Sequence, residues 1–175
     1  MDDLIRELGS LALASRLRRL SERLMRDVTH IYHDHGLDFE ARWFGMLHFL
    51  KRHPGRPVTE VAQALGLTHP AINQLAASLA KHRLLRSRAD PCDGRRRLLY
   101  LTARADRLIA SLQPIWDDVR LATDQLLQQS SRDFLSALDK IENELDEQSM
   151  YERLHRRVKE RLEAKGVGGK RKSAG

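Results

Sequence analysis

Over most of the chain apolar residues recur at steps of three or four, the period of an amphipathic helix. Leu17, Leu20, Leu24, Val28 and Ile31 form one such stripe, which Leu4, Leu8 and Leu11 extend toward the N-terminus and Gly36 ends. The spacing predicts one long helix over 3–35. A domain of this size cannot cover so long a stripe, so part of it is expected to meet a second chain. Trp43, Phe44, Leu47 and Leu50 predict the buried side of a helix from Phe39 to about Arg52, with Asp38 as its cap. Pro54-Gly55-Arg56-Pro57 then breaks the chain. Beyond Thr102, which is placed to cap, Leu108, Ile109, Leu112, Ile115, Val119, Leu126 and Leu127 predict a second long helix, bent at Pro114. Ser131 opens a further helix with Phe134, Leu138, Ile141 and Leu145 as its seam and an acidic opposite face. Ser149-Met150-Tyr151-Glu152 has capping-box spacing and leads into a basic helix with Tyr151, Leu154, Val158 and Leu162 along one side. Residues 166–175 read as a disordered basic tail.

Between these long helices the pattern shortens. Val61, Ala62 and Leu65 fit a short helix, with Thr59 placed to cap it and Gly66 to stop it. Thr68 opens another, with Pro70 in the first turn, where a missing N–H costs nothing. Ile72, Leu75 and Leu79 fall on one face of this second helix; Ala71, Asn73, Gln74, Ser78 and Lys81 fall on the other. Asn and Gln can bond adenine edges bidentately in a major groove, and two short helices joined by a tight Gly-containing turn form the helix-turn-helix pattern. Leu84-Leu85-Arg86-Ser87-Arg88 and Arg97-Leu98-Leu99-Tyr100-Leu101 then flank Asp90-Pro91-Cys92-Asp93-Gly94, a hairpin with a Pro- and Gly-marked tip. Arg95, Arg96 and Arg97 follow the tip directly. Such a hairpin beside a helix-turn-helix reads as a wing whose cations reach phosphates or the minor groove.

At Leu65-Gly66-Leu67-Thr68, Ile72, Leu79, Leu84 and the wing sequence Asp90-Pro91-x-Asp93-x-Arg95 ending in Leu99-x-Leu101-Thr102, the chain resembles the MarR family of bacterial winged-helix regulators. It departs from the family at Arg83 and Ala105, where glycine is usual. The resemblance implies a mainly α protein with a small β-hairpin wing and dimerisation helices at both ends. On that reading 1–35 is an N-terminal dimerisation helix, 36–102 the winged helix-turn-helix with its wing at about 85–101, and 103–165 the C-terminal dimerisation helices. The implied function is a ligand-responsive repressor that binds palindromic double-stranded DNA as a homodimer. Thr68, His69, Ala71, Asn73, Gln74 and Ser78 would face the major groove; Arg95, oriented by Asp93 and beside Arg96, would reach the minor groove. The family's effector cavity would fall near His30, His33 and Trp43.

Composition moves this picture only a little. The net charge of +7 favours a polyanionic partner. A single cysteine, Cys92, excludes an intrachain disulfide and suits a reducing cytoplasm. No apolar run approaches a membrane span, and a cytoplasmic protein is expected. His30, His33 and His35 suggest a metal, but no further ligand stands at a comfortable spacing, so neither metal nor cofactor is expected. No nucleophile motif, phosphate-cradling loop or HExxH is present, and Asp117-Asp118 reads as helix surface. The competing readings are a winged-helix module that docks protein without reading DNA, and a histidine-based metal-dependent protein.

Overall fold

Arg19 grips Asp3 with both arms of its guanidinium, at 3.0 and 2.9 Å. An unbroken helix would hold these residues roughly 24 Å apart along its axis, so the contact requires the N-terminal segment to turn back. The computed structural model, which describes residues 3–94 and 96–169 with side chains as far as Ala164, shows how. Helix α1 (Leu4–Glu7) is followed by a 3-10 turn at Gly9–Ala12, and α2 (Leu13–Asp34) starts only after it. The single helix expected over 3–35 is therefore interrupted. Gly9 has φ +55, a left-handed conformation that glycine adopts freely and that ends a helix; the leucine spacing carries on across it.

The chain forms two units, Met1–Val119 and Arg120–Gly175. In the first, α2 ends in a left-handed Gly36, and the Leu37 amide returns to the Tyr32 carbonyl at 2.9 Å. The predicted helix from Phe39 is shorter than expected. A 3-10 turn at Ala41–Trp43 precedes α3 (Phe44–Arg52), and Asp38 caps neither. Its carboxylate lies instead 3.7 Å from His82. Strand β1 (Arg56–Pro57), α4 (Val58–Leu65), α5 (His69–Lys81), β2 (Leu85–Ala89) and β3 (Arg97–Leu101) follow, and the antiparallel sheet has the order β1-β3-β2. Thr102 caps α6 (Ala103–Ser130), its Oγ1 accepting from the Ala105 amide at 3.2 Å, and the boundary between the units falls within this helix. Helix α6 runs through Pro114 without a break.

The core of this unit is aromatic at its centre. Tyr32 meets Phe39 edge to face at 4.7 Å, Phe39 meets Trp43 in the same way at 5.8 Å, and the Trp116 indole donates to the Tyr32 hydroxyl at 3.2 Å. Met46, Leu47 and Leu50 of α3, Ile72 and Leu79 of α5, and Leu99 of β3 close around them, all buried. Burying side chains of this kind stabilises by about 1.5–3 kcal/mol each, which fixes α5 and the sheet on one base.

In the second unit α7 (Phe134–Glu147) begins three residues later than Ser131 had suggested, with Asp133 at its N-cap position. The capping box holds: Ser149 N–H donates to the Glu152 carboxylate at 2.9 Å, and Glu152 N–H to Ser149 Oγ at 3.3 Å. The Ser149 hydroxyl also donates to the Glu152 carboxylate, at 2.8 Å, and this bond, helped by the one from Ser149 N–H, lowers the Glu152 pKa below its ordinary value. These bonds open α8 (Met150–Gly169). Residues 166–169 of the expected disordered tail are thus helical, since a glycine costs a helix about 1 kcal/mol without cutting its ladder. The rest of that tail, 170–175, lies outside the described residues.

Candidate nucleic-acid interface

The geometry begins at Gly66, whose φ of +61 and ψ of +29 turn the chain sharply after α4. The Leu67 amide returns to the Ala62 carbonyl at 3.0 Å. Thr68 then caps α5, its Oγ1 accepting from Ala71 N–H at 3.3 Å, with Pro70 in the first turn. Thr59 does not cap α4: the helix starts at Val58 on Pro57, and Thr59 lies inside its first turn. Ile72 and Leu79 anchor the inner face of α5 with no exposed surface. His69, Asn73, Gln74 and Lys81 are exposed, so the outer face offers imidazole, amide and ammonium donors. Ala71 is half-buried at the flank.

Ser78 departs from its expected place. Trp43 Nε1 donates to Ser78 Oγ at 3.2 Å, which turns that hydroxyl toward the core. Residues 71, 75, 78 and 82 lie along one edge of the helix, where a small polar side chain can be satisfied from below. Ala77, exposed one turn beyond Asn73, takes the position on the outer face. Helical period alone would have found it, and a methyl is a usable contact to thymine.

The wing pairs Leu85 with Leu101 through to Ala89 with Arg97. Its tip is closed by Asp90 N–H to the Arg96 carbonyl and Arg96 N–H to the Asp93 carbonyl, both at 2.9 Å. Cys92 N–H donates to Asp90 Oδ1 at 2.9 Å, an Asx turn, and Cys92 is exposed. Asp93 is exposed at the tip; Arg95 lies outside the described residues. Arg96 reaches Glu60 of α4 at 3.7 Å, and Glu60 also holds Arg56 at 3.1 Å. Half-exposed pairs of this kind contribute about 0–1 kcal/mol, so a phosphate can compete for Arg96. Arg86 and Arg88 flank the Tyr100 ring at 5.9 and 5.6 Å. They make a basic face on β2 that the prediction of site residues missed. The signal was present: Arg-Ser-Arg at period two, opposite a tyrosine.

The three residues expected to line an effector cavity separate. His30 and His33 lie in a groove of about 420 Å³, with Met25 and Thr29 of α2 and Glu40, Ala41 and Arg42. Trp43 does not line it; it is wholly buried, and its ring lies 4.7 Å from that of His82. The burial that makes an aromatic ring a good core residue removes it from the groove. His35 turns back to the Ile31 carbonyl at 2.8 Å. Among the described residues no His, Cys, Asp or Glu group is assembled to hold a metal ion, and no helix is long and apolar enough to cross a membrane.

A Gly-turned helix pair followed by a hairpin, with a short third strand on that hairpin, defines a winged helix-turn-helix. Residues 35–96 match the family model described as MarR family. In fold the chain is similar to the PcaV transcriptional regulator from Streptomyces coelicolor in complex with its natural ligand, at 21% identity and a TM-score of 0.61, over 85% of this chain and 98% of that one. It is similar to the transcriptional repressor CouR bound to a 23-mer DNA duplex, at 25% identity and a TM-score of 0.59, over 79% and 96%. It is likewise similar to S. aureus MepR in a DNA complex, at 20% identity and a TM-score of 0.62, over 77% and 97%. Among curated proteins none matches the chain.

Proposed function

We propose that this chain is a DNA-binding transcription regulator, a ligand-responsive repressor that acts in the cytoplasm as a homodimer and catalyses no reaction. The observation that carries the reading is the outer face of α5. His69, Asn73, Gln74 and Lys81 are exposed on a helix whose inner face is fully buried, beside a wing whose β2 is lined by Arg86 and Arg88. CouR, similar to this chain over most of its length, is a repressor bound to duplex DNA. In our reading α5 enters the major groove and reads through His69, Asn73, Gln74 and Ala77, with Thr68 and Ala71 near the backbone at its start. Arg95, Arg96 and Asp93 serve the adjacent minor groove; for Arg95 this rests on the sequence.

Dimerisation is supported by apolar surface left open on each unit. Leu17, Leu20, Leu24 and Ile31 of α2 are 38 to 44% exposed, and Leu154 and Leu162 of α8 are 55 and 60% exposed. Apolar stripes left exposed on each helix in this way mark interaction surfaces. A twofold dimer would read a palindrome with half-sites about one helical turn, roughly 10 base pairs, apart. The groove beside His30 and His33 falls within the size range of small-molecule pockets and is our site for an effector, whose binding would shift the population of reading-competent dimers.

The test is a titration of the full chain against genomic duplex fragments at several salt concentrations. A DNA reader gives a steep fall of log affinity with log salt and enriches particular sequences. A protein-docking module gives neither, and that result would end this reading.

A further inference from the structure

Ser78, expected to touch a base, and Trp43, expected to line an effector cavity, are bonded to each other. Trp43 Nε1 donates to Ser78 Oγ at 3.2 Å. The Ser78 carbonyl in turn lies 2.9 Å from His82 Nδ1, and since a carbonyl only accepts, that nitrogen carries the proton. The His82 ring packs on the Trp43 ring at 4.7 Å, and its other nitrogen lies 3.7 Å from the Asp38 carboxylate. The last turn of α5 is thus clamped to the turn 41–43 by an indole hydrogen bond and a ring contact, and the imidazole caps the helix end itself. That turn has a second face. Glu40, Ala41 and Arg42 wall the groove, and the Ala41 amide donates to Thr29 Oγ1 of α2 at 3.3 Å. Whatever occupies the groove therefore touches the segment whose final side chain holds the reading helix.

We propose that Trp43, Ser78 and His82 form a joint that sets the position of α5, so that Ser78 and His82 are positioning residues for DNA recognition and make no base contact. The inference rests on the DNA-reading function proposed above. Its physical content is that the last turn of α5 is tethered to the core through the part-buried Trp43–Ser78 bond, while Thr102 holds the backbone just beyond it and the Thr68 cap holds its N-terminal end. Loss of the tether lets the helix shift without unfolding, which weakens contacts that depend on register and spares those to phosphate, which carry no sequence information.

The experiment uses the full chain and a duplex selected by it from a random-sequence pool, with a scrambled duplex beside it. Trp43→Phe keeps an aromatic ring, smaller than the indole, and removes the donor; Ser78→Ala removes the acceptor; Ser78→Thr keeps the hydroxyl. Each of the first two is expected to lower affinity for the selected duplex about threefold to tenfold, the effect of one neutral hydrogen bond, and to leave the scrambled duplex unchanged. The double variant should be no weaker than either single one, the selected bases should not change, and Ser78→Thr should restore binding. Losses that multiply, or a changed preference at one base pair in Ser78→Ala alone, would make Ser78 a base contact and overturn the proposal. Amide hydrogen exchange on the protein without DNA provides the second readout. Residues 79–84 should exchange faster in Trp43→Phe relative to α4, and equal protection would refute the joint. If the wild-type chain selects no duplex, the DNA-reading function fails, and the exchange measurement still decides the joint.

Discussion

The hydroxyl of Thr102 donates to the carbonyl of Arg83 at 2.8 Å, and the Thr102 amide donates to the neighbouring Leu84 carbonyl at 3.1 Å. These bonds fasten the start of α6 to the end of the reading helix. Arg83 needs the fastening, because its φ is +59, the one non-glycine residue in the left-handed region among those described. The Leu84 amide reaches back to the Leu79 carbonyl at 2.9 Å, the cap in which glycine usually stands at this position. The left-handed conformation costs an L-residue roughly 1–2 kcal/mol, and glycine gives back part of that gain through the freedom of its unfolded chain. Arg83→Gly is therefore expected to stabilise the protein by about 1 kcal/mol, read as a raised denaturation midpoint with unchanged slope. A midpoint that falls would mean that the exposed arginine makes contacts worth more than the strain.

Gly55 carries the opposite expectation. Its φ is +72, and a Cβ added there would lie 2.8 Å from the Tyr100 hydroxyl and 2.9 Å from its ring, closer than real Cβ atoms come. Backbone strain of about 1–3 kcal/mol adds to a clash with a ring that Arg86 and Arg88 flank. Gly55→Ala should destabilise by about 2 kcal/mol or more and disturb the wing. Urea denaturation checks the first effect and amide exchange along β2 the second; a variant as stable as the wild type would show that Tyr100 moves freely.

The reading head was legible because its signals are local. Gly66 supplies a positive φ, Thr68 a cap, Pro70 a first turn, and Asp90-Pro91-x-Asp93 a hairpin tip; each acts within a few residues of where it is written. The wing pairing followed from two apolar-basic runs of equal length. The pairing of Trp43 with Ser78 was not legible, because helical period places Ser78 on an edge and cannot say whether it turns up or down; a side chain 35 residues away decides. The break at Gly9 was hidden for a different reason. Leu4, Leu8 and Leu11 keep helical spacing across a residue that leaves the helix, and the bond that demands the turn joins Asp3 to Arg19.

That bond predicts a pH dependence. The Arg19 hydrogen bonds, with smaller help from Arg6, hold the Asp3 carboxyl below its ordinary range. A carboxyl with a folded pKa below its unfolded one contributes order that is fully present above the unfolded value, near 3.9, and is lost as pH falls through the folded value. The fold-back of residues 4–12 should therefore hold at neutral pH and loosen only in acid. Amide exchange of this segment, followed downward from pH 6 in the wild type and in Asp3→Asn, checks it. Asp3→Asn should be loose at every pH; equal protection in the two proteins would remove the ion pair from the explanation.

Assembly is tested through α2. Leu20 and Leu24 are 44 and 43% exposed, too apolar a pair to face water without cause on a charged helix. Light scattering should give twice the 20.1 kDa of the monomer, and glutamate at both positions should yield folded monomers with greatly weakened operator binding. A monomeric wild type that binds an operator tightly at low concentration is the contrary outcome.

The two proposed reading elements, α5 and the wing, separate by mutation. Gln74 is exposed on the outer face of α5, where an amide can bond a base edge and discriminate directly. Gln74→Ala should cost about 1–3 kcal/mol on the selected duplex, relax the preference at one base pair per half-site, and barely change nonspecific binding. By its place in the sequence Arg95 is assigned to the wing, where a cation would sense groove width and phosphate charge, properties that follow sequence only loosely. Arg95→Ala should weaken selected and scrambled duplexes together and flatten the salt slope by about one unit. Asp93→Ala should act in the same direction more weakly, because it removes an orienting group and leaves the cation. Titrating both duplexes side by side over a range of salt distinguishes these patterns. If Arg95→Ala binds both duplexes as the wild type does, the wing takes no part in DNA binding, and recognition rests on α5 alone.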